Sequence, residues 1–168
     1  TLMLTAEQAN LYARVGRLGE AQGLQEEIVR VRRESLGPDH AATWAALADL
    51  AATLRALGRV ERAIEIQEPL RRNWVAKRGE SSLEALVAGE DLATSYLAAG
   101  RFGEAVPLQE SYVRAMWASG SARMPRALDA VMRTARSYAA LGDGRRAVEL
   151  GRVAYEGYKQ QFGRDSLL

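Results

Sequence analysis

Residues able to do chemistry are few in this chain, and their spacing argues against a catalytic centre. There is one histidine, His40, in the segment SLGPDH that begins at Ser35, and there is no cysteine. Without cysteine the chain has no thiolate nucleophile, no disulfide and no Cys-ligated zinc. A single histidine beside Asp39 lacks the further groups that would complete a nucleophile–base–orienter arrangement, so His40 reads as a loop residue. Carboxylates do occur in pairs: Glu26–Glu27, Glu90–Asp91, and Glu7 with Asp49. General acid–base work needs such groups to face each other across a substrate, whereas neighbours on a helix line a solvated face. There is no HExxH, phosphate-binding loop or GxSxG, and GRLGEAQG from Gly16 is a weak echo of a glycine-rich loop. The expectation is a non-enzyme with no cofactor and no metal.

The basic residues lead to the same place. Arg30, Arg32 and Arg33, then Arg71, Arg72, Lys77 and Arg78, fall late in helical segments, where cations complement the helix dipole. Acidic residues interrupt these runs, and the formal charge is only +2, so no concentrated basic face for nucleic acid is expected. No apolar run reaches the roughly 18 residues of a membrane span, and no basic-then-apolar leader is seen. A cytoplasmic protein is the default reading. The chain opens at Thr1 in helix-forming sequence, and is read as a piece of something longer.

The elements that position these residues repeat. Segments GRLGEA, GRVERA, GRFGEA and GDGRRA start at Gly16, Gly58, Gly100 and Gly142, 42 residues apart. Ala21, Ala63, Ala105 and Ala147 keep the register, as do Tyr12, Leu54, Tyr96 and Tyr138; Gln25, Gln67 and Gln109; and Gly37, Gly79 and Gly163. Within one period, Leu47, Leu50, Ala51, Leu54 and Leu57 form a helical apolar stripe that Gly58 ends, and Val60, Ala63, Ile66, Leu70 and Trp74 form a second. Pro38 stops the preceding helix, Asp39 is placed to cap the next, and Pro125 suits the first turn of the seventh helix. Pro69 and Pro107 lie inside helices, each deleting a backbone hydrogen bond. Trp74, Met116 and Tyr158 share a core register, while Trp44 and Trp117 are off it and expected to be partly exposed. The glutamine column is expected to be a structural ladder of amides bonding to neighbouring helices, with a polar row offered to a partner as the alternative. Helix pairs that cannot bury their stripes alone must stack.

These residues carry a resemblance. The Gly-x-hydrophobic-x-x-Ala step at Gly58, Val60 and Ala63, its copy at Gly100, Phe102 and Ala105, and the SLGPDH loop before Ala41 resemble tetratricopeptide repeats of the long, kinesin-light-chain-like and NB-ARC-associated kind. The resemblance implies an all-α fold, a right-handed α-solenoid of four helix-turn-helix repeats. It sets one repeat domain over 1–168, with repeats at about 1–37, 38–79, 80–121 and 122–163 and a tail at 164–168. Thr134 and Gly144 stand where the third repeat has Leu92 and Phe102, so the fourth repeat is expected to pack more loosely.

In this family the first helices of successive repeats line a concave groove that binds extended peptide or a partner helix. Carried over position by position, the resemblance selects Glu7, Asn10, Asp49, Glu90, Asp91, Thr94, Arg133 and Arg136, with Arg14 and Arg55 near the rim. Members often have asparagine where Asp49 and Asp91 stand; aspartate accepts a peptide N–H but cannot donate. The groove is thus expected to be acidic through three repeats and basic in the fourth, to suit partners with basic residues, and not to clamp a C-terminal carboxylate.

The function expected is a protein–protein interaction scaffold within a larger adaptor or sensor. The alternatives are a structural or oligomerisation element, self-associating through the apolar ends at Met3 and Leu4 and at Leu167 and Leu168, and an accessory domain of an enzyme. With no phosphate loop or metal-ligating cluster in the sequence, neither EDTA nor a nucleotide panel should change the melting temperature. A reproducible rise of several degrees with either would overturn that expectation, because a ligand that favours the native state must raise it.

Overall fold

The computed structural model describes residues 2–121 and 124–163, which form eight α-helices and no strand. The helices are α1 (Leu2–Arg14), α2 (Leu18–Leu36), α3 (Ala41–Ala56), α4 (Val60–Arg78), α5 (Leu83–Ala98), α6 (Phe102–Ala118), α7 (Pro125–Ala140) and α8 (Gly144–Phe162). Each repeat is therefore a helix-turn-helix, as its two apolar stripes predict. Leu167 and Leu168 lie outside the described residues.

The turn inside each repeat has a physical explanation in five residues. Gly58 has φ of 76°, a left-handed conformation that a Cβ would strain, and no atom would crowd a side chain there. That conformation lets Arg59 N–H reach the Leu54 carbonyl at 2.8 Å and Gly58 N–H reach that of Arg55 at 3.0 Å. This is the Schellman closure, which satisfies carbonyls the helix end would otherwise orphan. The same bonds close on Tyr12, Tyr96 and Tyr138 in the other repeats. The residue after the glycine then does a second job. The guanidinium groups of Arg17 and Arg101 each lie 4.5 Å over the rings of Tyr12 and Tyr96 and pair with Glu20 and Glu104. In the fourth repeat the roles are exchanged: Asp143 caps Arg146 N–H at 3.1 Å, and the Arg146 guanidinium lies 5.1 Å from the Tyr138 ring.

Two compact units divide the chain, Thr1–Trp74 and Val75–Leu168. In the first, Ala9, Ile28, Val29, Ala46, Leu50, Ala51, Leu54 and Ala63 form the core. Trp44, expected to be partly exposed, is buried there, with its ring edge against Trp74 at 4.7 Å. Three residues before Leu47 and seven before Ala51, it continues the edge of the leucine stripe. His40, not Asp39, caps α3, its Nδ1 accepting Ala42 N–H at 3.1 Å.

In the second unit Tyr112, Val113, Ala130, Val131 and Ala154 form the core, flanked by Leu86, Met116, Met132 and Leu150. Pro125 stands at the start of α7 as predicted, and Trp117 is exposed. Between the third and fourth repeats the turning glycine is Gly120, one residue before the register, and α6 is correspondingly shorter than α2, α4 and α8. A Cβ at Gly157 would stand 2.4 Å from Leu128 Cδ2, so α8 approaches α7 closely there. Both helices with internal proline, α4 and α6, continue across it.

Among the described side chains of α8 only Ala154 is buried, and the helix carries Gly144, Gly151 and Gly157, each interior glycine costing about 1 kcal/mol relative to alanine. Thr134 is buried and donates to the Ala130 carbonyl at 2.8 Å, so it packs where looser contact was expected. In dilute solution, amides from Val131 to Tyr158 should exchange before those from Leu47 to Leu70, as read by hydrogen exchange. Equal protection of the two spans would contradict the assignment.

Candidate interaction faces

The ten residues selected for the groove fall on the first helices of their repeats, and the structure gives them different surroundings. In the first unit, Glu7, Asn10 and Arg14 are exposed on α1, Asp49 is exposed on α3, and Arg55 is half-buried in the last turn of α3. Asn10 and Asp49 share a small cleft with Ala6, Ala9, Gln25, Ile28, Arg32 and Ala46, of about 10 Å³, room for about one water. Small side chains from successive first helices open this space. Gln25 rises into it from α2, and its Oε1 is buried with no hydrogen-bond partner among the described residues. Arg32 at its edge donates to the Ala42 carbonyl at 2.8 Å, fastening α2 to the start of α3.

In the second unit the face is organised by an ion pair. Glu90 on α5 is buried, and Arg133 Nη2 on α7 donates to its Oε1. Thr94 bonds back to the Glu90 carbonyl at 2.9 Å, Asp91 is half-buried, and Arg136 is exposed. Burial raises the Glu90 carboxyl pKa above its ordinary range, opposed by the Arg133 charge and hydrogen bond and, more weakly, by Arg126; Asp91 adds to the rise. Glu90 Oε2 and Arg133 Nε are both buried without partners among the described residues. Arg126 was not anticipated, and nothing in the sequence marks it. The pairing also changes the expected charge pattern, since one acidic residue of the third repeat and one basic residue of the fourth neutralise each other. One turn before Arg133 on the same face of α7, Asp129 accepts from Tyr158, and burial with that bond pushes the tyrosine hydroxyl up to about 12, with Arg133 opposing the rise.

The glutamine column is structural where its bonding is complete: Gln109 is buried and its Oε1 accepts from Ser137 at 2.9 Å. Gln25 and Gln67 are buried too, so the alternative of an exposed polar row is overturned, although Gln67 Oε1, like Gln25 Oε1, finds no partner among the described residues. Among the described residues no helix is long and apolar enough to cross a membrane.

Helical hairpins turning on a Schellman glycine, closed on an alanine and repeating every 42 residues, define the helix-turn-helix repeat class. The tetratricopeptide repeat family model matches residues 1–68. No curated protein sequence matches it. Among solved structures, BtubC (BKLC) from P. vanneervenii is similar with a TM-score of 0.84 at 18% identity, over 97% of this chain and 65% of that one. This chain thus spans about two thirds of that structure's length. A Podosopora anserina putative kinesin light chain with nearly identical TPR-like repeats is similar with a TM-score of 0.63 at 22% identity, over 97% of each chain. A Rap protein complexed with Competence and Sporulation Factor gives 0.75 at 13% identity, over 94% of this chain and 42% of that one.

The ion pair yields a pH-dependent prediction. A carboxyl whose folded pKa is raised binds protons more readily in the folded state, so its contribution to stability falls as pH rises through that window. Arg133→Met removes the opposing charge and should destabilise by about 1–3 kcal/mol at pH 8, and by less near pH 5. Adding Glu90→Gln should recover most of the loss, because neither charge is then left buried alone. Urea melts at the two pH values decide it; an equal loss at both would show that Arg133 acts through packing alone.

Proposed function

We propose that the chain is a protein-interaction scaffold whose first-helix faces receive an extended peptide or a helix of a partner protein, within a larger adaptor or sensor. The observation that carries this is the exposed polar face of the first unit, where successive first helices set Glu7 and Asn10 on α1 beside Asp49 on α3. Exposed acceptors of this kind suit a ligand that brings N–H groups, and a peptide backbone brings one at almost every residue. Glu7 and Asp49 in the first unit and Asp91 in the second favour basic side chains beside that backbone, while Asn10, Thr94 and Arg136 supply further polar contacts. Arg14 and Arg55 belong to the rim. Glu90 and Arg133 serve this face by holding α5 to α7. The similarity in fold to a Rap protein complexed with Competence and Sporulation Factor supports the reading, since that fold accommodates a bound factor.

Fluorescence anisotropy with labelled peptides tests it. Lys/Arg-rich peptides should bind several-fold more tightly than Asp/Glu-rich ones, and Asp49→Asn with Asp91→Asn should narrow the difference. Binding should weaken with added salt, because exposed charges are screened beyond about 10 Å at 0.1 M. Equal or tighter binding of the acidic peptides would sink the proposal.

A further inference from the structure

Arginine recurs at one exposed position of three second helices, and in the third repeat it has lost its acid. Arg30, Arg72 and Arg114 hold this register on α2, α4 and α6. Arg30 pairs with Glu27 and Glu34, and Arg72 pairs with Glu68. The register counterpart of Glu68 is Glu110, but the Tyr138 hydroxyl donates to Glu110 Oε1 and draws that carboxylate toward α7. Arg114 is left with a hydrogen bond from Nη2 to Ser111 Oγ at 3.3 Å, and with no carboxylate partner among the described residues.

A groove of about 290 Å³ opens beside that unmatched charge. It is lined by Glu80 and Ser81 before α5, Leu86 on α5, and Ser111, Arg114 and Ala115 on α6, so no residue of the first or last helix takes part. The register explains the space. Leu86, Ser111 and Ala115 stand where the second repeat has Trp44, Pro69 and Asn73, and each is the smaller side chain. Leu86 and Ala115 are half-buried and apolar, while Arg114, Ser81 and Glu80 are exposed. Small-ligand pockets run from roughly 300 to 1,000 Å³, so this groove suits one or two side chains rather than a cofactor.

We propose that the groove captures a glutamate side chain, next to an aliphatic one, from an extended segment of a partner protein. The planar fork of Arg114 donates to both carboxylate oxygens, a geometry that lysine does not supply. Ser111 and Ser81 offer further hydroxyl donors, and the aliphatic side chain lies on Leu86 and Ala115. Glu80 sets the direction, because its charge turns the incoming carboxylate toward α6. It also repels a doubly charged phosphate more strongly than a single carboxylate. The groove shares no residue with the face assigned to basic peptides, so ligands of opposite charge can occupy one chain.

Amide chemical shifts of the ¹⁵N-labelled 168-residue chain test the proposal. The probe is a short blocked peptide with one glutamate between two leucines in a glycine–serine background, compared with its glutamine twin. The glutamate peptide should move the amides of Ser81, Leu86, Ser111 and Ala115 first, and should bind at least fivefold more tightly than the twin. Arg114→Met should weaken it at least fivefold, and Arg114→Lys by less, since the charge stays and the fork is lost. Ala115→Leu fills the groove without touching a charge and should weaken binding as much. Arg114 is exposed, so its variants should keep the wild-type circular dichroism. Asp49→Asn with Asp91→Asn should leave binding of this probe unchanged, which separates the groove from the peptide face. Equal binding of the two peptides overturns the proposal. So does undiminished binding to Arg114→Met, displacement by equimolar inorganic phosphate, or a set of shifts that gathers on Glu7, Asn10 and Asp49 instead.

Discussion

The close approach of paired helices at alanine governs the arrangement of each repeat. Ala21, Ala63 and Ala105, each at the start of a second helix, are fully buried, as are Ala51 and Ala93 on first helices. A larger side chain at any of them would push two helices apart against a core packed at crystal-like density. The turn must then bring the second helix back within a few residues, which is why a left-handed glycine sits at a fixed distance before the alanine. Glycine and alanine are thus two ends of one geometric requirement. It explains why they keep register more strictly than the leucines, which can exchange for other apolar residues of similar volume.

Once the hairpin is fixed, surface residues near the turn are positioned almost automatically. The arginine after the glycine is delivered over the aromatic ring that begins the Schellman closure, and a glutamate one turn on completes the clamp in the first and third repeats. The second repeat has Leu54 and Arg62 in place of the ring and the acid, and Arg59 instead donates to Gln22 at 2.9 Å. The fourth inverts the charges through Asp143 and Arg146. Exposed pairs of this kind contribute little individually. Their variation between repeats shows that the backbone closure, present in all four, sets the turn.

This separation accounts for what was legible in the sequence. Helix number, the turns and most of the core follow from small residues in a fixed register, which one sequence displays four times over. Trp44, His40 and Gly120 were not readable in that way. Trp44 packs edge-on against Trp74 of the next helix, and that proximity is a tertiary fact. His40 caps through one ring nitrogen where the neighbouring Asp39 has the stronger intrinsic preference. Gly120 falls one residue before the register, and α6 is shortened to end at Ala118 while α7 keeps its register start at Pro125. The candidate faces were legible by position but not by environment. Register placed Glu90 and Arg133 on first helices, and only the packing of α5 and α7 shows that they neutralise each other.

A repeat protein written in one register also marks where it stops being generic. Positions that agree in all four repeats must serve the hairpin and the stack, because only the fold is common to them. Individual behaviour can arise only where one repeat departs from the others. Glu90 stands where the other repeats have Ala6, Ala48 and Met132, and Arg133 interrupts the acidic column of Glu7, Asp49 and Asp91. The two departures lie in adjacent repeats and meet in one buried pair, so each offsets the desolvation cost of the other. Isolated departures, such as Ser121 in place of a turning glycine, are absorbed by a local shift of the backbone. A coupled departure cannot be absorbed locally, and this one ties α5 to α7 within the second unit.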